Sequence, residues 1–203
     1  MLNKNKSALG GKKITQRALF LILTIVSLNN VSYSQYNNTA FGLNTLSNNT
    51  LGSHNSAFSV DALKFNTVGF WNSAFGESSL RYNLTGSHNS AFGNFSLEHN
   101  NGVANSAFGF VSLRNNTTGD YNSAFGYYSL YYNSVGRENS AFGETSLYFN
   151  TTGIQNSAFG TNSLYTNSTG NYNSSFGSNS LYSSTTGSEN SSFGSRSLYF
   201  NTT

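Results

Sequence analysis

The amino-acid sequence predicts an all-β chain, a parallel β-solenoid of about ten seventeen-residue coils behind an N-terminal secretory signal. Three observations predict it. One phrase, NSAFGETSLYFNTTG at 139–153, recurs in close variants along the chain at a fixed short period, which is the signature of stacked coils. Only 8% of residues are charged and 36% hydrophobic, yet 15% are aromatic, too polar for a two-layer core and too aromatic for a disordered chain. No proline occurs among the 203 residues, as expected where every coil must donate backbone N–H groups to its neighbours.

The first element is the signal, assigned to residues 1–34. Lys4, Lys6, Lys12, Lys13 and Arg17 precede the apolar run from Ala18 to Leu28, and the polar segment NNVSYSQ follows it. That run is too short for a stable bilayer anchor, and Ser32 and Ser34 are small residues suited to cleavage before Gln35. The expectation is export to the cell surface or the medium, with no membrane insertion after cleavage. Those five basic residues account for the net charge of +3; from Gln35 onward there are five basic residues against seven acidic ones. A basic surface for nucleic acid is therefore not expected. The chain has no cysteine, so an exported protein would be held together without disulfides.

The second element, residues 35–203, is the repeat. Units open at Asn38, Asn55, Asn72, Asn89, Asn105, Asn122, Asn139, Asn156, Asn173 and Asn190, with a period of seventeen broken once by a sixteen-residue unit at Asn89. Numbered from that Asn, a unit reads N-[ST]-[AS]-F-G-x-x-[STA]-L-x-x-N-x-[TVL]-G-x-x. Each unit offers two short segments, around [ST]-[AS]-F and S-L-x, between Gly-containing corners and Asn-rich turns. Such segments are too short for helix and are rich in residues that disfavour it, but they suit strands stacked coil on coil about 4.7–4.9 Å apart.

Stacking turns each repeated position into a ladder. The expected apolar core is a Phe ladder at position four (Phe58, Phe75, Phe92, Phe108, Phe125, Phe142, Phe159, Phe176) beside a Leu ladder at position nine (Leu63, Leu80, Leu97, Leu113, Leu130, Leu147, Leu164, Leu181). Ala or Ser at position three permits close approach, and Asn at positions one and twelve can hydrogen-bond along its own ladder and to turn backbone. Glycine at positions five (Gly76, Gly126, Gly143) and fifteen (Gly86, Gly136, Gly153) is expected to supply positive φ at the corners. The last unit stops at Thr203 before its expected glycine, so the solenoid reads as continuing beyond this point or as open at its C-terminal end.

The tandem N-[ST]-[AS]-F-G-x-x-[STA]-L phrase resembles the YadA-like head repeats of trimeric autotransporter adhesins and related bacterial surface or tail fibres. Asn139, Ser140, Ala141, Phe142, Gly143 and Ser146 fall on that family's motif, with a longer period and Phe in place of an aliphatic residue. The resemblance implies a left-handed parallel β-roll, three chains side by side, and an adhesive role at a bacterial surface. The partner it implies is the chain itself as a homotrimer, together with a host-surface, matrix or glycan ligand. Aromatics at positions ten and eleven, such as Tyr131, Tyr132, Tyr148 and Phe149, form a stripe able to pack between protomers.

Catalytic chemistry is not expected, nor a cofactor or metal. His54 and His88 share position seventeen but lie two coils apart, too far for one ion, and His99 stands elsewhere in its unit. The acidic residues are scattered, the repeated serines have no base and acid beside them, and no phosphate-binding loop appears. The Asn-x-Ser/Thr triplets, as at Asn83 and Asn167, follow from the repeat itself. Two other classes compete with a fibre head or shaft: a phage-like tail-fibre segment, and an ice-binding solenoid presenting Asn at position twelve and Thr at position fourteen (Asn116 with Thr118, Asn150 with Thr152) as a flat lattice.

Overall fold

The computed structural model describes residues 37–202; the signal segment lies outside the described residues. The chain is a β-solenoid. Ten three-residue strands, β1 (Thr39–Phe41), β2 (Ser56–Phe58), β3 (Ser73–Phe75), β4 (Ser90–Phe92), β5 (Ser106–Phe108), β6 (Ser123–Phe125), β7 (Ser140–Phe142), β8 (Ser157–Phe159), β9 (Ser174–Phe176) and β10 (Ser191–Phe193), form one parallel sheet in chain order. Register is in phase throughout, with Ala on Ala and Phe on Phe, as in Ala124↔Ala141 and Phe125↔Phe142.

Only the S-A-F segment is a strand. The second segment, S-L-x, is a turn, because positions seven and nine are both left-handed: Thr145 has φ 53° and Leu147 φ 50°. It still bonds coil to coil, the Leu130 N–H donating to the Ser146 carbonyl at 2.9 Å and the Leu147 N–H to the Ser163 carbonyl at 3.0 Å. A left-handed residue other than glycine costs roughly 1–2 kcal/mol. Leucine holds φ near 50° at position nine in all ten coils; from Leu46 to Leu181 the following coil's bond and full burial offset that cost, while Leu198 of the last coil is 47% exposed.

The interior differs from the expectation in one ladder. Along a strand side chains alternate between faces, so of Ser, Ala and Phe only one can point inward. It is Ala: Ala57, Ala74, Ala91, Ala107, Ala124, Ala141 and Ala158 are 0% exposed, while every Phe of the series lies on the outer face. Phe58, Phe75, Phe108, Phe125, Phe142, Phe159 and Phe176 are half-buried, and Phe92 is 36% exposed. The lumen of so short a coil has room for Ala from the strand and Leu from the opposite wall, and a phenyl ring exceeds it. The Leu ladder from Leu63 to Leu181 is fully buried.

Glycine also divides into two roles. Gly76, Gly126 and Gly143 at position five have φ between 132° and 139°, a region disfavoured for any residue with a Cβ. Gly86, Gly136 and Gly153 at position fifteen are not in that region; the expected positive φ is absent there. They are glycine for lack of space: a Cβ on Gly136 would lie 2.3 Å from Asn133 Oδ1 and 2.6 Å from the Gly153 carbonyl oxygen.

Two asparagine ladders close the interior. At position one, Asn122 Oδ1 accepts from the backbone N–H of Asn139 at 3.1 Å and from its side-chain amide at 3.1 Å, while Asn122 Nδ2 donates to the Gly136 carbonyl at 2.8 Å. At position twelve, Asn133 Nδ2 donates to Asn116 Oδ1 at 2.7 Å and to the Gly136 carbonyl at 2.9 Å. These side chains are 0% exposed, so each satisfied bond avoids a desolvation cost of about 1–3 kcal/mol per orphaned group.

The short coil keeps its place by substitution of one carbonyl for another. In ordinary coils two successive N–H groups share one backbone oxygen, as Thr67 and Val68 share that of Leu84 at 3.0 and 3.1 Å. At the sixteen-residue unit, Leu84 and Thr85 instead share the side-chain Oδ1 of Asn101, at 2.8 and 3.2 Å. Register from β4 to β5 is thereby retained, Ser90 facing Ser106.

Candidate binding surfaces

With interior positions occupied by structure, whatever the protein does it does with outward positions. Four rows run along the axis. The first is the sheet face, where Ser at position two and Phe at position four point outward. Its phenyl rings stack coil on coil without a break from Phe58 to Phe193, with centroids 4.6–5.0 Å apart and planes within 10° of parallel. Sequence reasoning placed this ladder correctly in register but on the wrong side of the sheet.

The second row, at positions ten and eleven, changes along the axis. In the N-terminal coils it is ionic: Lys64 and Arg81 share Asp61, from position seven, at 3.2 and 3.1 Å, and Glu98 pairs with Arg114 at 2.6 Å. Burial pushes the Asp61 carboxyl upward, but the Asn44 hydrogen bond and the Lys64 and Arg81 charges outweigh it and hold it below the usual carboxylate value. Burial lowers the Arg114 guanidinium, and the Glu98 and Tyr131 contacts more than restore it, leaving it raised. Lys64, Arg81 and Arg114 also lie over the rings of Phe65, Tyr82 and Phe95 at 5.2–5.5 Å.

From coil six onward the same row is aromatic. Tyr131, Tyr148, Tyr165, Tyr182 and Tyr199 stack at 5.0–5.5 Å, flanked by Tyr132 on Phe149 at 5.5 Å. Burial, with Tyr132 next in effect, pushes the Tyr148 phenol up to about 12. Burial likewise raises Tyr182.

The third row is the hydroxyl corner. Position-thirteen hydroxyls are spent within the fold: Thr117 Oγ1 donates to the Ser134 carbonyl at 2.7 Å and Thr151 Oγ1 to the Ser168 carbonyl at 2.9 Å. Thr118 and Thr152 at position fourteen are exposed, whereas Asn116 and Asn150 are wholly buried. The Asn and Thr expected to share a lattice therefore point to opposite sides of the wall, and the row presents Thr alone, interrupted by Leu51, Val68 and Val135.

The fourth row, positions sixteen and seventeen, takes up the histidines. His54 stacks on Trp71 at 4.2 Å and His88 meets the edge of Phe70 at 5.2 Å; His99, from the second row, stacks on Tyr82 at 4.8 Å. Each histidine is a ring in an aromatic contact, and among the described residues no three His, Asp or Glu side chains are grouped to hold a metal ion. The serines of position eight face inward: Ser129 Oγ donates to the Gly126 carbonyl at 3.2 Å and Ser146 Oγ to the Gly143 carbonyl at 3.0 Å. No helix among the described residues is long and apolar enough to cross a membrane.

The outward Phe ladder was legible in one respect, since position three admits only Ala or Ser and so marks the inward-facing residue of the strand. The left-handed leucines left no such signal. No family model, curated protein or solved structure matches the chain, so its function is argued from the repeat and from these four rows.

Proposed function

We propose that the protein is a non-enzymatic head or shaft segment of an exported fibre, displayed at the cell surface or released from it, in which copies of the chain pack side by side as a homotrimer and present the variable rows to a host-surface, matrix or glycan ligand. The observation that carries the reading is the Phe ladder. An uninterrupted apolar row on the outside of a rigid rod invites cover, and a row that repeats at every coil meets a second copy of itself in register along its whole length. Positions ten and eleven change from charged to aromatic along the axis and suit recognition of something other than self.

Light scattering on the purified repeat region tests this. The expected result is a species of three chains, converted to monomer by Phe108→Ser together with Phe142→Ser, with the solenoid's circular dichroism retained. A monodisperse wild-type monomer overturns the assembly, and binding of that monomer to no extracellular matrix or glycan array removes the adhesive role as well.

A further inference from the structure

Five phenols crowd the outer surface where coil six meets coil seven. Tyr127, Tyr128, Tyr131 and Tyr132 come from one coil and Tyr148 from the next. Tyr127 and Tyr128 have ring centroids 4.4 Å apart, and Tyr128 and Tyr131 5.0 Å apart. Three contacts cross the coil boundary: Tyr132 meets Tyr148 edge-on at 5.2 Å, Tyr131 lies 5.5 Å from it and Tyr128 5.9 Å. Further along the row the rings lie flat on one another, but Tyr128 is tilted 49° against Tyr148 and 46° against Tyr131. Tilting brings a ring edge, where the carbons ortho to the hydroxyl lie, towards the neighbouring ring.

We propose that this cluster is a site of oxidative tyrosine coupling, at which a one-electron oxidant of the peroxidase class, supplied with hydrogen peroxide, joins coil six to coil seven through a carbon–carbon bond. Two phenols each lose one electron and one proton, giving two phenoxyl radicals. The radicals combine at ring carbons ortho to oxygen, and the hydrogens on those carbons move to the oxygens, restoring two phenols. One molecule of peroxide accepts the two electrons and two protons and leaves as two molecules of water.

The arrangement supplies what the reaction needs. Radical coupling is second order, and rings held in contact replace diffusion by proximity. Tyr127 and Tyr132 are 50% and 42% exposed and give the oxidant access, while the half-buried Tyr131 and Tyr148 lie beneath them. Tyr148 is held as the neutral phenol by burial and by Tyr132, so its oxidation must release a proton, which passes to solvent by way of the exposed Tyr132 hydroxyl beside it. The product is a covalent staple between coils in a chain that has no cysteine to make a disulfide.

Oxidation of the dilute, folded chain by a haem peroxidase and hydrogen peroxide tests the proposal. The expected result is dityrosine fluorescence in single-chain material, a mass lower by two hydrogens, and a cross-linked peptide joining the segment that holds Tyr128, Tyr131 and Tyr132 to Tyr148. Tyr148→Phe keeps the stacked ring and should lose that peptide, as should the combined change Tyr128→Phe, Tyr131→Phe and Tyr132→Phe. The combined change Tyr121→Phe and Tyr172→Phe, which removes isolated phenols that are 63% and 52% exposed, should retain it. Coupling that maps to Tyr121 or Tyr172, or that persists at full yield in Tyr148→Phe, overturns the assignment.

Discussion

Position ten is Lys64, Arg81, Glu98 and Arg114 in coils two to five, and Tyr131, Tyr148, Tyr165, Tyr182 and Tyr199 in coils six to ten. Beneath this change the coil is constant: the leucine next to it keeps φ between 49° and 51°, and its N–H bonds the following coil at 2.9–3.0 Å in both halves. The backbone is thus set by the interior ladders. An outward rung needs only to suit what lies beside it, ring on ring, or charge on a nearby opposite charge, as Lys64 and Arg81 share Asp61. The inward rungs have no such latitude, because a coil of seventeen residues encloses little more than one Leu, one Ala, one Ser and two hydrogen-bonded Asn side chains.

If that division holds, interior truncation should be indifferent to the half in which it is made. Leu80→Ala in the ionic half and Leu164→Ala in the aromatic half should each cost about 2–5 kcal/mol in chemical denaturation. A clear difference between them would show that the outer row contributes to coil stability after all. Next in size, Asn122→Ala removes four side-chain bonds, one of them to the buried N–H of Asn139, for a loss of about 2–4 kcal/mol, whereas Phe125→Asp on the outer face should cost about 1 kcal/mol. The reverse order would return Phe125 to the interior.

The two halves separate more finely by salt and by pH. Glu98→Ala strands Arg114 and should destabilise by about 2 kcal/mol, less at high ionic strength; Tyr165→Ala should cost about 1 kcal/mol whatever the salt. Hydrogen exchange along the chain should resolve the smallest effects. Asp61 is depressed in the folded state, so its contribution is present above its unfolded value and is lost as pH falls through the lower folded one, loosening the ionic half first. Tyr148 is raised from 10.0 to about 12, so its contribution is present below 10 and disappears as pH climbs towards 12, loosening the aromatic half first. Uniform exchange in both halves at both extremes of pH would remove the distinction.

How much of this was readable from residues alone follows from the physics of each position. Period, the S-A-F strand, parallel register and the Leu ladder were legible because stacking makes every coil repeat the same constraint, whereas the S-L-x segment, expected as a second strand, is a turn. The asparagines at positions one and twelve were legible as ladders, but not as interior, since burial of an amide depends on whether its partners satisfy it. Phe142 was misread because size and hydrophobicity suggest the core, whereas the strand's two-sided geometry and the narrow lumen give that place to Ala141. Gly143 and Gly153 look alike in sequence, yet one answers a backbone angle and the other a steric limit set by the next coil. Asn101 gave no hint that its side chain would stand in for a missing backbone carbonyl.

The sequence by itself determined that this chain is a stack of short coils, because one phrase repeated at a constant period leaves each coil only its neighbours to pair with. Which side of the wall each residue takes was decided only in the tertiary structure. Inside and outside are set by how much volume the closed coil can enclose and by which polar groups find partners there, and neither quantity exists until the coil has closed.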